Sequence, residues 1–553
     1  LMKQAGSSQE SFSFKHRIQR GIRDLNKWTV FTVLILLFIA VPVITIFFKL
    51  FGGPGESWGH ITNYLLVDYL KNSLYLSVLC TLITLVTGVV SAWLVTRFEF
   101  PFRTYLEWLL IIPLAIPGYI MAYAYAGFLD YGGIFSWLIS PFGIENFKLD
   151  MMNVVGLSFV LGISLFPYVY VSARAFFLTQ ALNLLEASRL LGVSETKSFF
   201  KLIFPLSRPA IVAGLVLVLM EVLNDYGAAQ YFGVNTFTTG IFRSWFSLEE
   251  PETAIYLSAL LLSIVFVLII LEKYQRRKLQ YTSPKSGRTS INHRIKLSFP
   301  RQLLLSFLVS LPVVLGFLIP VIQLLQWAVK TYTQVFNQDL LWLSLQSFGI
   351  AFVAACFTVL FALLLLYFSK WNKIYSVQSA AKLGVLGYAI PGAVVAIGIM
   401  IPTLSLDKTF IELGWASKFI INGTLIALVY AYVVRFLAVA YQPLESSSLK
   451  VNSSIPDSSK ILGMGNFKTF FKIEFPLLKA GMLSAFILVF IDILKELPLT
   501  LILKPYHINT LAVKAYGYAS DEMVMQASIP SLFIILTALI PVIILNKLLL
   551  KNG

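Results

Sequence analysis

Uncharged apolar runs of 18 residues or more, such as 30–48 and 254–271, constrain this chain more than any other feature. A helix rising 1.5 Å per residue needs about 20 residues to cross a hydrocarbon core of roughly 30 Å. Inside that core every backbone N–H and C=O must find a partner within the protein, which leaves helices or closed barrels. The runs are continuous rather than alternating, so they read as helices. Spans are expected near residues 28–50, 71–97, 104–129, 153–178, 208–232, 253–272, 302–329, 342–368, 379–404, 418–442, 479–503 and 524–550. The first run is longer than a signal h-region and lacks an A-x-A-like site, and it reads as an uncleaved span. The expected class is an all-α polytopic membrane protein with about 12 transmembrane helices in a lipid bilayer.

A net charge of +16 suggests nucleic acid or anionic substrates until its distribution is considered. With the N-terminus placed in the cytoplasm, most Lys and Arg fall on cytoplasmic segments, few on external ones, and Lys495 inside a span. That asymmetry is the positive-inside rule. The charge therefore reports orientation, with both ends cytoplasmic, and implies no nucleic acid. Cys80 and Cys356 sit far apart in apolar runs, so no disulfide framework or C-x-x-C metal site is available.

The chain repeats itself. "LLGVSETKSFFKLIFP" ends at Pro205, and "ILGMGNFKTFFKIEFP" ends at Pro476. Gly192 and Gly463 are 271 residues apart, as are the two prolines. "AIPG" occurs at 115–118 and 389–392, and Asn72-Ser73 and Gln346-Ser347 share that 274-residue offset. A basic segment with Ser, Gly and Pro but no apolar period separates the copies. The expected organisation is a cytoplasmic tail at 1–27, a first half at 28–272, a cytoplasmic linker at 273–301 and a second half at 302–553. Each half has an even number of spans, so the repeat is parallel, about an axis along the membrane normal, with a pathway near that axis.

The repeated loop interrupts the apolar pattern at the cytoplasmic surface. It reads as two short helices joined at Gly192, the residue best able to take the left-handed C′ position, with the second closed by Pro205. Leu184, Leu191, Phe199, Phe200, Ile203 and Phe204 can pack on the bundle. Glu186, Arg189, Lys197 and Lys201 can face a soluble partner. A loop that merely anchors two spans accounts for one copy, whereas two copies with the same Gly-to-Pro spacing point to a shared docking geometry.

These residues resemble the signature loop of the permease subunits of bacterial binding-protein-dependent ABC importers, E-A-A-x3-G-x9-I-x-L-P. The first copy reads Glu186-Ala187-Ser188, Gly192 and Leu202-Ile203-Phe204-Pro205. The second reads Asp457-Ser458-Ser459, Gly463 and Ile473-Glu474-Phe475-Pro476, a weaker match at its acid. The resemblance implies a type I importer permease with both halves fused, in a bacterial cytoplasmic membrane. It implies that Glu186, Ala187, Arg189, Gly192, Pro205, Asp457, Ser458, Lys460, Gly463 and Pro476 belong to coupling helices. These would dock two copies of an ABC ATP-binding subunit, which use ATP and Mg, while an extracytoplasmic binding protein delivers the cargo. Residues 220–246 and 509–536 resemble fused permeases for ferric iron. Thiamine and aminoethylphosphonate permeases share that architecture.

Glu221 and Asp225 are i, i+4 on the fifth span and share a face. Their counterparts at the 271 offset are Asp492 and Glu496, joined by Lys495. Ionisable groups at such depth are costly and normally face a bundle interior or a wet cavity. By the resemblance, these five residues border the translocation pathway. Carboxylate oxygens suit a hard cation such as Fe³⁺, so transient contact at Glu221, Asp225, Asp492 and Glu496 is expected, without a stable metal site. Alternatively Lys495 neutralises an acid, and helix N-termini or waters satisfy the rest. Pro117, Gly118, Pro391 and Gly392 place helix-bending residues inside the third and ninth spans as candidate hinges.

No G-x-x-x-x-G-K-[ST] phosphate loop occurs, so ATP hydrolysis belongs to partners and the chain itself binds no cofactor. His16, His60, His293 and His507 are scattered, and no nucleophile–base constellation is present, so no enzyme is expected. A secondary transporter using the acids as an ion relay gives no reason for two matching cytoplasmic loops. A non-transporting scaffold leaves the acids unexplained. The weaker acid of the second loop carries a consequence: Glu186→Gln is expected to reduce ATP-driven uptake more than Asp457→Asn, and equal losses would contradict the asymmetry.

Overall fold

The computed structural model describes residues 27–143, 149–178, 188, 192–277, 294–372, 374, 377–379, 381, 390–452 and 454–551. Among these, nine helices are long and apolar enough to cross a membrane, or eleven when two sharply bent pairs each count as one span. They fall at the first eleven expected positions, and the helix Ser528–Lys551 occupies the twelfth. The protein is an all-α polytopic membrane protein built from two related six-helix halves.

Within each half, small residues set the helix contacts. Lipid tails are as apolar as leucine, so helices associate by close packing rather than by a hydrophobic drive. Gly88 of the second span lies where a Cβ would meet Val169 Cβ at 2.8 Å, and Gly214 of the fifth span abuts the backbone of Tyr168 and Val169. The fourth span, Val154–Phe176, is thus gripped from two sides. In the second half Ala351, Ala354, Ala355 and Ala362 of Gln338–Lys370 are buried and play the same part.

The two halves exchange their first spans. Lys27–Lys49 packs against the second half: Tyr430 donates to the Phe38 carbonyl at 2.7 Å, and Phe38 stacks on Phe361. The seventh span, Phe299–Val335, packs in turn on the first half. There Tyr125 donates to the Leu315 carbonyl at 2.6 Å and Ser306 to that of Pro101 at 2.8 Å. After the linker, Ile295 and Lys296 pair in parallel with Phe98 and Glu99, and Arg294 and Arg103 both approach Glu99.

Among the described residues four expected spans are not continuous, the ninth beginning as a helix only at Gly392. The third bends by 98° between Arg103–Ala115 and Gly118–Phe142. The fifth ends as a helix at Asn224, and the eleventh at Leu494; each resumes as a short helix, Gly227–Tyr231 and Pro498–Leu503. Pro205 also departs from expectation. It closes nothing: the helix continues from Phe199 to Asn224. A π-turn, Phe199–Ile203, ends two residues before Pro205, and the equivalent turn Phe470–Glu474 ends two before Pro476. Val314–Leu318 repeats the device before Pro320. Proline lacks an N–H and its ring clashes with the carbonyl four residues back, and a widened turn relieves that clash. In the second copy the bend of 72° falls after Leu477.

The exchanged first span generates a paired expectation. A Cβ on Gly398 would meet the Pro42 backbone at 2.6 Å, whereas one on Gly349 would meet nothing within 4 Å. Gly398→Ala is expected to cost about 1–3 kcal/mol through overpacking, while Gly349→Ala stabilises by roughly 0.5–1 kcal/mol. Thermal unfolding of the detergent-purified protein reads both signs.

Candidate translocation and coupling sites

The breaks in the fifth and eleventh spans are built around their acids. Asp225 follows the last helical residue in extended conformation, and its Oδ1 accepts from the backbone N–H groups of Ala228 (3.0 Å) and Ala229 (3.1 Å). Glu496 Oε1 accepts from the N–H of Leu499 at 3.1 Å. Each acid therefore caps the short helix that follows it, and the face-sharing pair Glu221 and Asp225 straddles a helix end rather than lying on one helix. Both nevertheless line one cavity.

The repeated "AIPG" supplies the other side. Pro117 is the N-cap of the helix Gly118–Leu129, and Pro391 that of Gly392–Glu412, so these residues start helices rather than bend continuous ones. A Cβ on Gly118 would meet Asp225 Oδ2 at 2.9 Å, and one on Gly392 would meet Glu496 Oε1 at 2.7 Å. A side chain at either position would have to push the carboxylate aside. Each carboxylate thus sits between two helix N-termini, whose partial positive charge favours an anion.

The two copies differ in what completes them. Ser164 and Arg435 occupy equivalent places, and each donates to the isoleucine carbonyl of its "AIPG": Ser164 to Ile116 at 3.3 Å, Arg435 to Ile390 at 3.2 Å. Arg435 also lies 3.3 Å from Glu496 Oε2 and donates to Asn224 Oδ1 at 3.2 Å. Asn224 accepts from the Gly392 N–H at 2.7 Å, tying the first half to the second. On the first-half side the smaller serine leaves room. A cavity of about 100 Å³ opens there, lined by Ser164, Tyr119, Glu221, Asp225, Lys495 and Glu496 among others. Lys495 is held at 2.8 Å by Asp492 on its own helix, three residues away. Among the described residues no group of three or more His, Cys, Asp or Glu is arranged to hold a metal ion.

Arg435, Asn224 and Tyr119 are the members that pattern reasoning passes over. An arginine within the apolar run 418–442 is itself a signal, and Asn224 is Lys495 shifted by 271 residues. Tyr119 gives no signal beyond its place next to "AIPG".

At the cytoplasmic face the loops repeat to the hydrogen bond. Gly192 and Gly463 take φ of 70° and 80°. The N–H of Val193 reaches the Ser188 carbonyl at 3.1 Å, and that of Met464 the Ser459 carbonyl at 3.0 Å, the six-to-one closure of a helix C-terminus. Ser198 donates to Ser188 Oγ at 2.9 Å, and Ser459 bonds Thr469 at 2.6 Å. Each loop is latched to the end of its second span, by Arg97 with Glu195 in one half and Lys370 with Glu474 (2.8 Å) in the other. The helix Ser454–Ile461 carries Asp457 and Ser458 exposed. Glu186, Ala187 and Arg189 lie outside the described residues, as does the Lys460 side chain.

A duplicated helical membrane core with matching cytoplasmic loops is the class that the comparisons identify. Residues 84–281 and 382–552 match the family described as binding-protein-dependent transport system inner membrane component, and the chain belongs to that family. It is a multi-pass membrane permease subunit of an ABC importer. It is 27% identical over 486 residues to the Fe(3+)-transport system permease protein FbpB 2 of Haemophilus influenzae, covering 87% of this chain and 90% of that protein. It is 24% identical to the ferric transport system permease protein FbpB of Actinobacillus pleuropneumoniae, covering 83% and 68%. The spermidine/putrescine transport system permease protein PotB of Haemophilus influenzae is 27% identical, covering 46% of this chain and 93% of its own.

The Arg435–Glu496 pair is nearly inaccessible, at 4% and 7% exposure. Removing one partner of a buried pair costs about 3–5 kcal/mol. Arg435→Leu is therefore expected to lower the unfolding temperature sharply, and Glu496→Gln in the same chain to restore much of it, since the amide oxygen still caps Leu499.

Proposed function

We propose that this permease imports ferric iron delivered by an extracytoplasmic binding protein. Movement is by alternating access, driven through the loops around 186–205 and 457–476 by two ATP-binding subunits. The observation that carries the iron reading is that both ferric permeases named above match over more than four fifths of this chain, across both halves. The cavity supports it, since its carboxylate oxygens suit a hard cation.

In this reading Glu221, Asp225, Asp492, Lys495 and Glu496 line the way through the membrane. The acids touch iron in passing, because Asp225 and Glu496 are already committed to helix caps and Asp492 to Lys495. The first-half acids face the open side of the cavity, while Arg435 occupies the second. Pro117, Gly118, Pro391 and Gly392 act as hinges in the sense that the helices they begin pivot against the two carboxylates. Closure of the ATPase dimer draws the loops together, and the latches at Arg97 and Lys370 carry that movement to the second spans.

Co-purification with an ATP-hydrolysing subunit and uptake of ferric iron into proteoliposomes test the reading. Uptake is expected to require ATP and the loaded binding protein and to survive an uncoupler. Abolition by uncoupler with ATP intact would make it a secondary transporter. Glu221→Gln combined with Asp492→Asn is expected to reduce iron uptake; unchanged uptake at normal expression would remove these acids from direct participation.

A further inference from the structure

We propose that Tyr119, Tyr123 and Tyr231 form a phenol-lined outer gate, closed in this structure, that passes a hard trivalent cation from an outer pocket to the intramembrane cavity. On the face opposite the coupling loops lies a pocket of about 740 Å³ whose lining includes Asp130, Asp150, Glu522 and Tyr231. From Tyr231 the ring of Tyr123 is 6.1 Å away, and from Tyr123 that of Tyr119 is 6.5 Å away. Tyr119 lines the inner cavity with Asp225 and Glu496. Three phenols therefore span the wall between two acid-bearing spaces.

Two further observations separate this column from ordinary packing. Tyr119 is only 4% exposed, yet its hydroxyl has no hydrogen-bond partner among the described residues. A buried unpaired hydroxyl in a native protein calls for a reason, and a passing ligand supplies one. Tyr119 also packs where the two broken spans meet: a Cβ on Gly227 would meet Tyr119 Cβ and Leu497 Cδ2, each at 2.7 Å. Separation of the broken segments of the two halves would open the packing beside Tyr119, which ties the gate to the alternating motion. Tyr123 is held by its hydrogen bond to Ser531 of the twelfth span. Phenol oxygens are hard donors suited to a hard cation, whereas the ring faces alone attract organic cations.

The proposal rests on the ferric reading, and the test separates the two. The complete complex, with its ATPase and its binding protein loaded with ferric iron, is reconstituted in liposomes, and iron uptake per ATP hydrolysed is measured. Tyr119→Phe and Tyr231→Phe keep the rings and remove only the oxygens. Each is expected to lower the ratio about tenfold, equivalent to one lost contact of roughly 1.4 kcal/mol in the limiting step. ATP hydrolysis stimulated by the binding protein stays at the parent level. Phe variants that match the parent ratio, including the case in which only Leu variants fail, overturn the role of the oxygens. A parent complex that takes up no ferric iron overturns the ferric reading and this proposal with it.

Discussion

A carboxylate inside the hydrocarbon region has to be satisfied by protein groups or by water in a cavity that the protein encloses. Much of this fold follows from the way it satisfies two. Asp225 and Glu496 each stand where a span stops being helical, so the amides freed by the break become their donors. A second helix begins against each carboxylate, and it begins with Pro-Gly, whose glycine lets the carboxylate approach without being displaced. The break, the 98° bend of the third span and the "AIPG" repeat are one arrangement seen from three positions in the sequence.

Duplication supplied that arrangement twice, and divergence made the copies unequal. Where the first half has Ser164 the second has Arg435, and where the first has Asn224 the second has Lys495. Both second-half cations are engaged by second-half acids, at 3.3 Å and 2.8 Å. The space that Arg435 fills in one half stays open beside Ser164 in the other, and the cavity lies there. A symmetric pair of arginines would close it. The cavity thus lies toward one half, on the side where the serine stands in place of the arginine.

The sequence makes the spans, the duplication and the loop glycines legible because each rests on a short-range rule. Length and apolarity mark a span, a fixed offset marks a repeat, and a glycine after a helical stretch marks a left-handed turn at Gly192 and Gly463. The breaks are less legible. Glu221 and Asp225 keep perfect helical spacing, and no residue between them marks the stop; Asp225 meets Gly118 of the distant third span and caps Ala228 and Ala229 just downstream. Pro205 misleads for the opposite reason. A proline normally ends a helix, but the preceding π-turn removes the clash, and π-turns have no residue signature. The exchange of first spans is invisible in sequence, since either half presents an apolar surface that a lipid-facing helix can meet.

The latches show what divergence preserved. Arg97 reaches Glu195 near the start of its loop helix, whereas Lys370 reaches Glu474, at a position where the first half has Ile203. The basic residue ends the second span in both halves, but the acid has moved along the loop. Inheritance from a common ancestor explains identical pairs; it does not explain the same two elements being joined through different ones. On the import reading, a requirement that the loop move with the second span explains it. An exposed ion pair is worth little in stability, and each latch keeps one partner buried: Arg97, at 4% exposure, in the first half and Glu474, at 3%, in the second, with both cations ending helices of 32 and 33 residues. The buried partner has thus changed sides, a cation in the first half and an acid in the second, while the two elements that are joined have stayed the same.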